Sequence, residues 1–368
     1  MHDLDLSAFK QYLKSQRDET LEGIWQFSSY TVALKKEGNV HKAYIVESTN
    51  PSWKAGQVKF IVNDPEDNNT AKVTFFMGDH SARQIDTMTL LGNNEVVLGN
   101  SFIVMSREEP RQESSPEITR YVRLLSTKAP LFEKVSENTV LVRIPAFDHA
   151  FKKDIDAVIA KHLDTILKTE NLIIDIRGNG GGSDVSYASL LPILYTNPIR
   201  TVGMEYLSTE LNNSRMLGFL QNPHFSEEEK QWAKDGYDIL NQHIGSYINI
   251  DEDVTVETFD KIEPLPKSIG VLVDSSNGST AEQFLLAAKQ SKKVKLFGQT
   301  TAGVLDISNM YQTDSPSGTF TLYYSLTKSL RIPHMAIDGV GIQPDYYIDG
   351  ELPLYQWTSY TQKVLEGM

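Results

Sequence analysis

Residues 171–191 read NLIIDIRGNGGGSDVSYASLL. The apolar run Leu172-Ile173-Ile174 has the length and content of a buried strand, and Asp175 and Arg177 follow it with opposite charges. Gly178, Gly180, Gly181 and Gly182 then fall within five positions. Ser183 and Asp184, both favoured at helix N-termini, open a helix expected over 183–195. A glycine-rich turn between strand and helix lets backbone N–H groups approach a ligand closely. Such a turn cradles a phosphate, forms an oxyanion hole, or is merely tight. The phosphate reading fails on flanking residues. A P-loop needs Lys-Ser/Thr after its last glycine, and Ser183-Asp184 stands there; a GxGxxG fingerprint fails because position 183 is Ser.

A second segment, IGVLVDSSNGSTAEQF (269–284), repeats the plan: buried strand, polar turn, then a helix from about Ser279. Taken singly, Ser279 reads as a helix cap. In a parallel α/β layer, however, both turns lie beyond the carboxyl ends of their strands and so share one edge. A Ser hydroxyl facing a nest of glycine N–H groups is the arrangement of acyl transfer, a nucleophile beside an oxyanion hole.

Around these segments the chain divides by rhythm. Residues 1–20 form an amphipathic helix pattern, with Leu6, Phe9 and Leu13 on one face. Residues 21–108 hold many short strands around turns such as Glu37-Gly38-Asn39 and Gly92-Asn93-Asn94, the pattern of a small barrel or sandwich. Residues 109–130, polar and proline-containing, read as a linker. Residues 131–368 alternate strand and helix, a mostly parallel α/β core, with a helical insertion at about 203–266 where Ser226 and Glu229 have capping-box spacing.

Composition narrows the function. The 368 residues carry a net charge of −13, which argues against nucleic acid or an anionic membrane as main partner. With no cysteine, disulfides, thiolate metal sites and a Cys nucleophile are excluded. No cofactor and no metal is expected. No apolar stretch is long enough to span a bilayer. A bacterial extracytoplasmic location, with an export signal not present in these residues, is the expectation; a cytoplasmic one stays open.

The pair LIIDIRGNGGGS (172–183) and VLVDSSNGSTAEQFLLAAKQSKKVKLFGQTTAG (271–303), with GVGIQPDYYI (339–348), resembles the core of the C-terminal processing peptidases, or tail-specific proteases. Their relatives include the tricorn core and interphotoreceptor retinoid-binding protein. The resemblance covers about 131–348 and implies a ClpP/crotonase-like α/β core behind the β-rich domain, with serine peptidase ancestry. Carried over, it makes Ser279 the nucleophile, three residues before Glu282. The oxyanion donors are then the N–H of Thr280 and that of Gly181 or Gly182. Asp175, Arg177 and Asn179 tie down the turn. A peptide or protein substrate is expected to bind as an extended strand.

The chain departs from that pattern at the base. Val304 and Ser308 stand where the processing peptidases have Lys and Gln, and Arg143 where the tricorn branch has His. Asp338 is an imperfect counterpart of that branch's late Glu, and no PDZ module fits between the domains. His149 and Lys328 are the leading base candidates. His243 and His334 are further ones, and Asp306 is a candidate to orient a base. The alternative function is a catalytically inactive peptide- or ligand-binding protein, with Trp25, Phe27, Phe75 and Phe76 as aromatic surface in the β-rich domain.

Overall fold

The computed structural model describes residues 5–15, 21–63, 71–99, 103–223 and 225–367. The chain forms two compact units, Met1–Lys128 with Pro353–Ser359, and Ala129–Leu352 with Tyr360–Met368.

In the first unit a helix, Leu6–Ser15, buries Phe9 and Leu13 against Ile24 and Ala33. Residues 1–4 and 16–20 of the expected helix lie outside the described residues. Nine antiparallel strands follow, and the sheet's two edges are Ala82–Ile85 and Met88–Leu91. Only Asp86 and Thr87 separate these edges in sequence, so the sheet must curl until it nearly closes. Its interior holds Trp25, Phe27, Val32, Phe60, Phe75, Leu98 and Met105. Trp25, Phe27 and Phe75, considered above as ligand surface, are therefore core, and Phe76 is half-buried against them. The stretch expected as linker contains a helix, Pro116–Ser126. Ser115 Oγ accepts the Ile118 N–H at 3.1 Å, proline sits in the first turn, and Ile118, Tyr121 and Leu124 are buried.

The second unit is built on a six-stranded sheet in the order Leu131–Lys134, Thr139–Arg143, Asn171–Asp175, Ser268–Val273, Val294–Gly298, Tyr346–Tyr347. The first pair is antiparallel and the rest are parallel. The central strands are apolar on both sides because both faces are covered. On one side Thr361 and Leu365 lie so close to Gly270 that a Cβ there would meet them at 2.7 and 3.2 Å. The segment after the glycine turn is not a continuous α-helix. It winds as a 3-10 helix over Asp184–Leu190 and then a single α-turn, Leu191–Leu194.

The insertion is helical only in part. Its helices Glu210–Leu220 and Glu227–Asn241 are flanked by short strands, and the second carries the expected capping box, Ser226 N–H to Glu229 Oε2 at 2.7 Å and Glu229 N–H to Ser226 Oγ at 3.2 Å. Tyr247–Ile248, Met204–Leu207, Thr321–Ser329 and Ile307–Asp314 form a four-stranded sheet in that order, leaving Ile307–Asp314 at its edge.

Candidate active site

Strands Asn171–Asp175 and Ser268–Val273 are parallel neighbours with Asp175 opposite Leu272, so their turns emerge side by side. Polar side chains staple them together. Asn277 Nδ2 donates to Ile176 O at 2.6 Å and Asn179 O at 3.0 Å. Asp274 accepts the Gly178 N–H at 2.9 Å. Beneath them Asp175 is buried and takes Arg177 Nη2 at 2.7 Å, with Arg143 Nη1 at 3.4 Å. Burial alone would raise the Asp175 pKa; the charges of Arg177 and Arg143 and the Arg177 hydrogen bonds outweigh it and hold the carboxyl below its ordinary value. Arg143, expected where the tricorn branch has His, is a buried cation paired with Asp175.

Ser279 precedes the helix Thr280–Ala288 with φ 54° and ψ −125°. A non-glycine residue at positive φ costs about 1–3 kcal/mol and persists only where its surroundings enforce it. Gly181 (φ 110°) packs directly against Ser279. A Cβ on Gly181 would lie 2.9 Å from Ser279 Cβ, 2.9 Å from Thr280 N and 2.7 Å from Gly278 O. Gly182 is bridged to Phe147, with Ser183 N–H donating to Phe147 O at 2.9 Å and Phe147 N–H to Gly181 O at 3.0 Å. Of the two expected glycine donors, Gly181 is engaged elsewhere, since its N–H donates to Asn179 Oδ1 at 2.9 Å. The N–H groups of Gly182 and Thr280 have no acceptor among the described residues.

These groups open on a cleft of about 750 Å³ whose walls include Gly182, Asp184, Ser279, Thr280, Val304 and Arg331. Val304, expected where the processing peptidases have Lys, brings only an apolar isopropyl group, with Cγ2 2.6 Å from where a Cβ on Gly278 would stand. Glu282, one turn after Ser279, holds the Val304 loop. Its carboxylate accepts the N–H groups of Gly303 at 2.8 Å and Val304 at 2.9 Å and the Thr301 hydroxyl.

The expected base candidates are not among the residues lining this cleft. His149 is exposed and faces Glu229, whose pKa it helps to lower after the hydrogen bonds of Ser226. Lys328 pairs with Glu205 at 3.0 Å and its Nζ stands 4.1 Å over the Tyr247 ring. Its neighbour Ser329 faces the cleft, and strand alternation turns Lys328 to the other face. His243 and His334 are exposed and lie outside the lining. Asp306 is occupied by Arg331 Nη2 at 3.1 Å and the N–H groups of Ile337 and Asp338 at 2.5 and 2.8 Å. Asp338 in turn accepts the N–H groups of Leu305, Asp306 and Ile307.

Sequence reading missed Asp184, Arg215, Gln283 and Arg331 as cleft residues. Arg331 is buried, Nη1 lies 3.4 Å from Gln283 Oε1, and Nε has no partner. Among the described residues no three His, Asp or Glu side chains gather closely enough to hold a metal.

An uncharacterized protein of Chlamydia muridarum (strain MoPn / Nigg) is 25% identical over 268 residues, 62% of this chain and 44% of that protein. The chain therefore spans less than half the length of this curated relative. Among solved structures, mature CPAF is 14% identical over 98% of this chain and 90% of its own, with a TM-score of 0.47. A putative S41 protease from Bacteroides fragilis NCTC 9343 is 11% identical over 95% and 84%, with a TM-score of 0.44. The photosystem II D1 C-terminal processing protease is 11% identical over 90% and 75%, with a TM-score of 0.40. The expected fold stands, a ClpP/crotonase-like α/β peptidase core preceded by a β-rich domain. Peptidase family S41 matches residues 138–348, more than half of the chain and both strand-end turns, and the chain belongs to that family.

Proposed function

We propose that this chain is a serine peptidase-like hydrolase that cleaves peptide bonds through Ser279. The observation that carries the reading is the strained Ser279 backbone set beside two unengaged N–H groups, those of Gly182 and Thr280, in one cleft. Ser279 Oγ attacks the scissile carbonyl, and the carbonyl oxygen, as it becomes an oxyanion, is held by those two N–H groups. A preorganised donor of this kind contributes about 10²–10³ in kcat. Strain without a task is lost easily, since one residue in an allowed conformation relieves it.

The substrate lies as an added strand against the unpaired edge of Ile307–Asp314, where Ile307, Ser308, Asn309 and Met310 line the cleft. Main-chain pairing there reads an extended peptide with little regard to side chains. We further read the protein as bacterial and extracytoplasmic, a location that its cysteine-free composition fits. No helix among the described residues is long and apolar enough to cross a membrane. Hydrolysis of a fluorescence-quenched peptide library by the wild type, abolished in Ser279→Ala, is the expected result. The alternative, a peptide-binding protein on a peptidase scaffold, is favoured by Val304 and Arg143 at the family's base positions. It predicts binding of the same peptides without turnover in either protein.

A further inference from the structure

Among the described residues, the cleft around Ser279 is lined by three side chains that carry charge: Asp184, Arg215 and Arg331. An arginine cannot accept a proton at neutral pH, so the two guanidiniums do not serve as base. The other carboxylates nearby, those of Glu282, Asp306 and Asp338, are committed to backbone N–H groups or to Arg331. Asp184 remains. It stands two residues after Gly182, whose neighbour Gly181 abuts Ser279 Cβ, and it lines the same cleft as Ser279 and Thr280, whose side chain favours its ionised form. We propose that Asp184 is the general base for Ser279, in place of the lysine and histidine used elsewhere; this rests on the reading of Ser279 as nucleophile.

The step balances within the cleft. As Ser279 Oγ bonds to the carbonyl carbon, its proton passes to the Asp184 carboxylate. As the tetrahedral adduct breaks its C–N bond, Asp184 returns that proton to the leaving amine nitrogen. Water then attacks the acyl ester, gives a proton to Asp184, and the acid fragment leaves as Ser279 takes that proton back. The environment suits the task. Asp184 is exposed to the cleft, yet desolvation by the cleft walls raises its pKa by more than the Thr280 side chain and the Arg331 charge lower it. A carboxylate whose pKa is raised is a stronger base than an ordinary one. Arg331 faces it, the Arg215 guanidinium also lines the cleft, and the Tyr187 phenol lies within range of its charge.

The test is the rate of labelling by a fluorophosphonate probe as a function of pH. The wild-type rate is expected to rise with pH along a single acid limb, as Asp184 ionises. Asp184→Asn, which keeps the shape but accepts no proton, is expected to lose about 100-fold or more and the limb with it. Asp184→Glu restores part of the rate. Thr280→Val removes a hydroxyl that favours the ionised carboxyl, so its limb moves to higher pH. Labelling of Asp184→Asn within threefold of wild type and with the same limb, while Ser279→Ala is unlabelled, overturns the role of Asp184 and leaves that of Ser279. Should Asp184→Asn fail to fold, an unmoved limb in Thr280→Val overturns it equally. A wild type that Ser279→Ala matches in labelling overturns both.

Discussion

The substitution Gly181→Ala tests how closely the two turns are pressed together. A methyl at Gly181 would stand 2.7 Å from Gly278 O and 2.9 Å from both Ser279 Cβ and Thr280 N. Ordinary contact begins at 3.4 Å, so the turns must part by about 0.5–0.7 Å to admit it. Misplacing a catalytic group by 1 Å costs on the order of 10²-fold. Scaled to this shift, fluorophosphonate labelling of Ser279 should slow by roughly tenfold. Alanine at φ 110° adds strain of about 1–3 kcal/mol, which a domain of ordinary stability survives. Gly178→Ala is the control, because its φ is also positive, at 74°, but a Cβ there meets nothing within 4 Å. It should cost about 1 kcal/mol of stability and change labelling by less than threefold. The assay is labelling rate by intact mass, with urea denaturation on the same samples. Wild-type labelling by Gly181→Ala, or equal loss in Gly178→Ala, would refute the idea that close approach positions the nucleophile.

Further outcomes follow from the same geometry. Gly182→Ala places a Cβ 2.3 Å from the Phe147 carbonyl carbon at φ 143°, and should yield little folded protein by circular dichroism. Asn277→Ala removes the side-chain donor to the Ile176 and Asn179 carbonyls and the acceptor of the Asp274 N–H, and should cost about 2–3 kcal/mol in urea denaturation. Asp175→Asn removes the buried carboxylate that pairs with Arg177 and Arg143 and should cost about 3–5 kcal/mol, without altering the pH limb of labelling. Because the folded pKa of Asp175 lies below its unfolded value, its contribution is fully present above the unfolded pKa near 3.8 and is lost as pH falls through the folded one. Wild type should therefore lose more stability than Asp175→Asn on acidification below about pH 4, read from urea midpoints.

What the sequence made legible was local. Strand, polar turn and helix follow one another in residues 171–191 and 269–284, and parallel pairing alone then brings the two turns to one edge. What it hid was orientation. Gly181 and Gly182 look interchangeable in a glycine run, and only the Asn179 side chain, folded back onto Gly181, separates them. His149 and Lys328 were plausible bases because they flank strand ends. One residue of strand alternation sends Lys328 to Glu205, and His149 lies in the open. Asp184 was visible only as a helix-opening residue, since its role depends on Thr280 and Arg331, roughly 100 and 150 positions away in the chain. The helix Pro116–Ser126 had its signals, a Ser cap and a first-turn proline, but the surrounding polar run read as linker.

The central claim is that Ser279 is an activated nucleophile. Incubating the protein with a fluorophosphonate and mapping the adduct by peptide mass spectrometry tests it directly. The account predicts one adduct per chain, on Ser279, and none in Ser279→Ala. An unmodified wild type, or an adduct that persists in Ser279→Ala, contradicts it.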